Sequence, residues 1–147
     1  MKIVFNIKTG RLIASDGGLD LLLFATSGRG SCKNNPSLAC QKKSFEGPLP
    51  VGEYYIYPHE LSDPNPLYDI ARTVFHLADW GDFRIRLHPR IQTKTFGRNN
   101  FFLHGGGIPG SAGCIDVGGG LWGDGLTNSL VDMIAKQKSP ILVVVKP

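Results

Sequence analysis

The chain has 147 residues, of which 41% are hydrophobic and 19% are charged, with a net charge of +4. This length predicts one domain, residues 1–147, whose core can fold without a disulfide or a metal. The basic residues are not interleaved with aromatic residues, which argues against a nucleic-acid-binding protein.

The first half of the chain is predicted to form short strands around one long loop, because glycine and proline are frequent. Residues 2–7 and 11–15 have the composition of strands joined by a turn, and residues 19–28 form an apolar run that ends at a glycine. Residues 29–50 are polar and form a long loop, of the kind that is usually functional or mobile. An aromatic-rich strand is predicted at residues 52–58.

The second half adds further strands and one helix. Residues 82–89 alternate apolar with basic side chains, which indicates a half-buried strand, and residues 101–104 form a short apolar strand. Residues 105–125 are dominated by glycine. Residues 126–138 have helical spacing and residues 141–145 form a buried strand, so the fold class is mainly β with minor α and one helix near the C-terminus. The apolar positions of the helix are Leu126, Leu130, Met133 and Ile134.

The three cysteines leave two possibilities open. Cys32 and Cys40 bracket the short polar loop CKNNPSLAC, and they either pair as a disulfide in an oxidising compartment or remain two thiols. In the first case Cys114 is the thiol left over. No two cysteines have the close C-x2-C spacing of a zinc site, so no metal site is expected.

The start of the chain, MKIVFNIKTGR, differs from a secretory signal peptide because Asn6 and Lys8 interrupt its apolar run. The apolar segments LDLLLFA and ILVVV are too short to cross a bilayer. We therefore expect a protein made in the cytoplasm without a membrane partner, which needs a separate delivery route to act elsewhere.

The segment FFLHGGGIPGSAGC places His104 and Cys114 at the two ends of a glycine-rich loop. Cysteine attacks carbonyl groups as the thiolate, and a neighbouring imidazole can take its proton. Glycines permit positive-φ turns and leave main-chain N–H groups open to an oxyanion. The pattern predicts a cysteine–histidine pair that meets across an open groove; the alternative is an inert cysteine in the core.

Two segments resemble the catalytic domain of L,D-transpeptidases of the YkuD type. GPLPVGEYYI, residues 47–56, is similar to their P-x-G-x-[YF] strand entry, and FFLHGGGIPGSAGCIDV is similar to their HG…S-x-G-C active-site segment. The likeness is greatest to the L,D-transpeptidase effectors of type VI secretion, the Tlde family, in which the His-to-Cys interval is short. The resemblance implies an L,D-transpeptidase-like mixed β-sandwich.

Three catalytic residues follow from this resemblance. Cys114 matches the nucleophile, and His104 matches the base that activates it. Gly105 follows the histidine, at the place where the family uses a main-chain carbonyl to orient the imidazole.

The resemblance also implies oxyanion and substrate-binding residues. Ser111 and Gly113 match the S-x-G that shapes the loop before the cysteine, and the N–H groups of Gly113 and Cys114 are the implied oxyanion donors. Arg98, in the lead-in GRNNFFLHG, is a candidate substrate contact.

Two positions depart from the family pattern. Ala112 stands where most L,D-transpeptidases have a second histidine, and Asp116 stands where they often have Arg or Asn. Both changes weaken the expectation of efficient cross-linking. Neither changes the cysteine–histidine pair, so acylation and hydrolysis are still expected.

The implied substrate is the tetrapeptide stem of peptidoglycan. Cys114 would attack the carbonyl of the third residue, expel the terminal D-alanine and form a thioester. Water would then give L,D-carboxypeptidase activity, and a D-amino acid or a neighbouring stem would give exchange or cross-linking. An antibacterial effector of this kind acts in the target-cell periplasm and implies secretion machinery and a cognate immunity protein as partners.

Other functions fit parts of the sequence. The HGGG at residues 104–107 is also found in lipases and esterases, but the chain lacks their G-x-S-x-G nucleophile motif. A Cys-His peptidase or amidase of the cell wall on another scaffold remains an alternative enzyme. A wall-binding module with an inert Cys114 is the non-enzymatic alternative.

Overall fold

The structure, a computed structural model, describes residues 1–62, 83–106, 112–119 and 124–147. These residues are mainly strands, with one substantial helix near the C-terminus, as the sequence predicts. The strands are β1 (Lys2–Asn6), β2 (Arg11–Ser15), β3 (Asp20–Phe24), β4 (Gly52–Ile56), β5 (Arg84–Pro89), β6 (Phe101–Gly106), β7 (Ile115–Gly119) and β8 (Ile141–Lys146). The α-helices are α1 (Leu38–Gln41) and α2 (Gly125–Ala135), and short 3-10 helices cover Gly30–Cys32 and Pro58–Glu60.

The eight strands form one sheet in the order β3-β2-β1-β8-β4-β5-β6-β7. The pairs β1–β8 and β6–β7 are parallel, and the other neighbours are antiparallel. Just after β3, Thr26 bridges to Asp116 in β7, with N–H to C=O distances of 2.8 and 2.9 Å in the two directions. The sheet therefore curls until its first and last strands meet through this bridge.

The core lies on the concave side of the curled sheet because the strands alternate buried with more exposed residues. In β1 the buried positions are Ile3 and Phe5, and in β8 they are Ile141, Val143 and Val145. Tyr54 in β4 is also fully buried, and its hydroxyl donates to the Pro50 carbonyl oxygen over 2.7 Å. The alternation of apolar residues thus indicates both where the strands lie in the sequence and which of their faces packs into the core.

Helix α2 begins with a capping box. The carboxylate of Asp124 accepts from the amides of Leu126 and Thr127, and the Thr127 hydroxyl accepts from the Asp124 amide. Leu130 and Ile134 are fully buried, as predicted, but Leu126 is 50% exposed. The expected apolar face is wrong at Leu126 because the cap places that residue in the first turn, on the solvent side. No helix in the described part of the chain is long and apolar enough to cross a membrane.

Strand β7 lies inside residues 105–125, a region where the sequence shows mostly glycine. Gly118 and Gly119 have φ angles of +74° and +89°, so local propensity does not favour a strand there. The strand forms because β6 pairs with it on one side and Thr26 bridges to it on the other. This pairing places β7 against the histidine strand and so determines the geometry of the site.

Candidate active site

His104 lies in β6 and is 1% exposed. Its Nδ1 is 2.8 Å from the carbonyl oxygen of Gly105, which is the contact that the sequence resemblance leads us to expect. Because a carbonyl oxygen only accepts, this hydrogen bond requires the proton on Nδ1. In the neutral ring Nε2 is then the nitrogen able to accept a proton.

Cys114 lies one residue before β7, next to the histidine strand. The parallel register pairs His104 with Asp116, so Cys114 is two positions from the partner of His104. Strand rise and spacing put the Cα atoms of His104 and Cys114 about 8 Å apart, within reach of their side chains. The fold therefore brings together the two residues that the sequence singled out.

The expectation of an open groove across this pair is wrong. Cys114 is 4% exposed and His104 is 1% exposed, so neither side chain lies on a solvent-filled surface. They lie where β6 pairs with β7, and the neighbouring residues Phe101, Leu103 and Ile115 are buried as well. Both residues therefore lie in the interior of the domain.

Gly113 shapes the turn before the cysteine, but its amide is already used. Its φ is +74°, a conformation that favours glycine, which agrees with the expected loop-shaping role. Its N–H donates to the Gly47 carbonyl oxygen over 2.9 Å, so its expected role as an oxyanion donor is corrected. The other residue expected to shape this loop, Ser111, lies outside the described residues.

Arg98 was expected to contact substrate, but its guanidinium binds the protein's own main chain. Nη1 donates to the carbonyl oxygens of Gln41 and Pro48 over 2.7 and 2.8 Å, and Nη2 donates to that of Gly47 over 2.9 Å. The guanidinium also lies 5.8 Å from the ring centre of Phe101. Three of its five N–H groups are thereby committed, so the described geometry favours a structural connection over a substrate contact.

Burial lowers the pKa of Arg98 below its ordinary value, because desolvation penalises the cation. The negative forms of Tyr54 and, to a smaller extent, Cys114 oppose that shift. Electrostatic attraction is mutual, so the same interaction favours the thiolate form of Cys114.

Ser27 also fixes the position of the cysteine main chain and was not identified from the sequence. It is fully buried, its hydroxyl donates to the Cys114 carbonyl oxygen over 2.5 Å, and it accepts the Leu49 amide over 2.8 Å. The only signal in the sequence is a polar residue at the end of the apolar run LDLLLFATSG.

A disulfide between Cys32 and Cys40 joins the loop that supplies the partners of Arg98. The sulfur atoms are 2.08 Å apart and the Cα atoms 5.3 Å apart. This settles which of the two cysteine arrangements the chain adopts, and Cys114 stays outside the disulfide. Gln41 follows directly and ties the loop to β4, since its side-chain amide donates to Pro36 and its side-chain oxygen accepts from Val51.

Residues 23–119 match the sequence model of the Tlde1 domain, which is more than half of the chain. The chain belongs to the Tlde1 domain family. This is the family of L,D-transpeptidase-type effectors of type VI secretion that the sequence motifs resemble.

No curated protein matches this Tlde1 domain. Among solved structures it is similar to an L,D-transpeptidase from Mycobacterium smegmatis, with 14% identity and a TM-score of 0.48. The alignment covers 99% of this chain and 58% of that one, so the Tlde1 domain spans a little over half the length of the solved protein.

A groove of about 460 Å³ opens at Ala112, two residues before the cysteine of the Tlde1 domain. One wall is formed by Ser44 and Phe45, in the long loop that contains the disulfide, and the other by residues 97–100, in the segment before β6. Phe45 is 84% exposed at this groove and has a φ of +64°, a strained conformation for a large side chain. The lining residues are Ser44, Phe45, Gly97, Arg98, Asn99, Asn100 and Ala112.

Asp116, which departs from the family pattern, is 3% exposed in the Tlde1 domain. Its carboxylate accepts the Gly118 amide over 2.8 Å, and its main chain forms the bridge to Thr26. The side chain therefore stabilises the end of β7 rather than facing the groove. Among the described residues, no group of three or more His, Cys, Asp and Glu side chains is placed to hold a metal ion.

Proposed function

We propose that this Tlde1 domain is a cysteine-dependent enzyme that cleaves or exchanges the terminal D-alanine of peptidoglycan tetrapeptide stems. The observation that carries the proposal is the parallel pairing of β6 with β7, which brings Cys114 next to a histidine bound to a main-chain carbonyl. Membership of the family supports the class of substrate.

Each of the three residues has a chemical task. The carbonyl of Gly105 holds the proton of His104 on Nδ1, so Nε2 is the basic nitrogen. That nitrogen takes the proton of the Cys114 thiol, and the resulting thiolate is the nucleophile. Burial of the pair excludes bulk water, which strengthens the attraction between thiolate and imidazolium.

The reaction balances without a cofactor. The sulfur of Cys114 bonds to the carbonyl carbon of the third stem residue, the peptide bond to D-alanine breaks, and the imidazolium gives its proton to the leaving amine. Water then attacks the thioester, which yields a tripeptide carboxylate and restores the thiol. If a D-amino acid attacks instead, its amine forms a new peptide bond and the stem is exchanged.

The groove is the proposed path of the stem peptide. It is lined by Ala112, two residues before the nucleophile, and its asparagine and serine groups can donate and accept hydrogen bonds along a peptide. Because the pair itself is nearly covered, the substrate reaches the sulfur along this groove rather than from open solvent.

The disulfide supports action in an oxidising compartment, because such bonds persist there and are reduced in the cytosol. We place the activity in the periplasm of a target cell, after delivery by type VI secretion. A producer of such a toxin needs an immunity protein, which is the second partner of the proposal.

The test is digestion of purified tetrapeptide muropeptides with analysis of the products by mass spectrometry. We expect release of D-alanine and formation of tripeptides, with exchange products when a D-amino acid is added. Cys114→Ala should abolish both reactions, and His104→Gln should reduce them at least about a hundredfold, since general base catalysis contributes about 10²–10⁴.

The matched control is His59→Gln, which removes an exposed histidine outside the groove and should keep full activity. Circular dichroism and melting curves should show that each variant is folded. Full turnover by Cys114→Ala, or cleavage between glycan and peptide in place of D-alanine release, would overturn the proposal.

A further inference from the structure

The loop that carries one wall of the groove contacts the cysteine turn through few bonds. The Gly113 amide binds the Gly47 carbonyl oxygen, and Ser27 links Leu49 to the Cys114 carbonyl. The remaining described bonds between this loop and the segment before β6 come from a single side chain, that of Arg98. One guanidinium therefore spans the two walls.

The space around this guanidinium is closely fitted. A Cβ atom on Gly113 would lie 2.9 Å from Nη2, and a Cβ atom on Gly47 would lie 2.9 Å from Nη1. The cation thus occupies the volume that side chains at these two glycines would need. A lysine in its place has one compact ammonium group and cannot reach three carbonyl oxygens in the fixed fork of arginine.

We infer that Arg98 is a positioning residue, which clamps residues 41–48 onto the segment before β6, against Gly113 of the cysteine turn, and supplies the positive charge beside the thiolate. The inference rests on the proposed function, since it concerns the same cysteine. It assigns Arg98 two separable effects. The clamp sets the width of the groove, and the charge sets the ease with which Cys114 ionises.

The experiment measures alkylation of Cys114 by iodoacetamide as a function of pH, together with the kcat and KM for muropeptides. Arg98→Gln removes clamp and charge, so we expect the alkylation profile to move up by about one pH unit, the lower end of the effect of a neighbouring opposite charge. Arg98→Lys keeps the charge and loses the fork, so its profile should stay close to that of the parent while KM rises.

The matched control is Arg90, which is also half-buried and also bonded by its guanidinium, to Glu53 at 2.5 Å, with Tyr55 at 5.6 Å. Arg90→Gln removes the same charge from another site and should leave both profile and KM unchanged. A profile and KM for Arg98→Gln equal to those of Arg90→Gln would overturn the inference. If Arg98→Gln melts below the assay temperature, Arg98→Lys decides, and parent-like kinetics would overturn the clamp.

Alkylation needs no substrate, so the two hypotheses fail in different ways. A parent domain that releases no D-alanine contradicts the proposed function whatever Arg98 does. A parent domain that is active, with Arg98 variants identical to it, contradicts only the positioning role.

Discussion

The hydroxyl of Ser27 donates a hydrogen bond to the carbonyl oxygen of Cys114, 87 positions later in the chain. The Ser27 hydroxyl oxygen in turn accepts a hydrogen bond from the amide of Leu49, so one buried side chain joins the segment after β3, the disulfide-bonded loop and the cysteine turn. The position of the cysteine therefore depends on contacts between parts of the chain that are remote in sequence.

Ser27→Ala should destabilise the domain by about 1–3 kcal/mol, because it leaves two buried main-chain groups without this partner. Urea unfolding measures the effect, and alkylation of Cys114 should slow in the folded variant. Ser31→Ala removes an exposed hydroxyl nearby and should change stability by less than about 0.5 kcal/mol. Equal stability of the two variants would contradict the role of Ser27.

Gly113 and Gly118 form a matched pair, because both have a φ of +74° but only Gly113 is crowded. Gly118→Ala, with no atom within 4 Å of the new methyl group, should cost about 1 kcal/mol for the backbone conformation alone. Gly113→Ala also meets Arg98 and Phe101 and should cost about 1–3 kcal/mol more. Chemical denaturation measures the free energy of unfolding of the two variants. Equal losses of stability in Gly113→Ala and Gly118→Ala would contradict this prediction.

Reduction of the Cys32–Cys40 disulfide should lower the free energy of unfolding by about 2–3 kcal/mol, from the entropy of the loop that it closes. Unfolding with and without dithiothreitol measures the loss. The double variant Cys32→Ser, Cys40→Ser should show the lower stability under both conditions. A reductant effect that persists in this double variant would show that the disulfide is not its source.

Asp124→Ala should destabilise the domain by about 1 kcal/mol through loss of the helix cap, while Asn128→Ala, an exposed change in the same helix, should not. The Thr127 amide bond is the largest cause that lowers the pKa of Asp124 below 3.8. The carboxylate therefore stabilises the fold above that pH, and its contribution is lost as the pH falls through the lowered pKa. The stability gap to Asp124→Ala should close in that range, and a gap independent of pH would contradict the cap.

Phe45→Ala should raise the KM for muropeptides several-fold with little change in kcat, because the exposed ring lies at the groove and not at the reacting pair. Phe45 has a strained φ although its side chain is not buried, and strained backbone conformations of this kind are common at binding sites. Ile91→Ala removes another fully exposed apolar side chain and is the control. An unchanged KM in Phe45→Ala would exclude the ring from substrate binding.

The strands with regular alternation could be predicted from the sequence, since their buried side is encoded locally. Strand β5 is an example, with Ile85 and Leu87 buried between more exposed residues. Strand β7 could not be assigned in this way, because its hydrogen bonds come from β6 and Thr26 rather than from its own composition.

The reactive pair could also be recognised from local sequence, since His104, Gly105 and Cys114 lie within one segment. The surrounding geometry could not. The Gly113 amide binds Gly47 and the Arg98 guanidinium binds Gln41, Gly47 and Pro48, partners about fifty or more positions away. A motif shows which groups react, but the main-chain partners of those groups depend on the folded topology.

Strand β8 lies between β1 and β4 and pairs with both. It follows His104 and Cys114 in the chain, so the ribosome releases the reactive segment before the strand that joins the two halves of the sheet. Pairing over such separations forms slowly, because a long stretch of chain must be ordered first. A nascent chain therefore contains the reactive residues before the sheet that positions them is complete. The domain can assemble only after β8 has been translated.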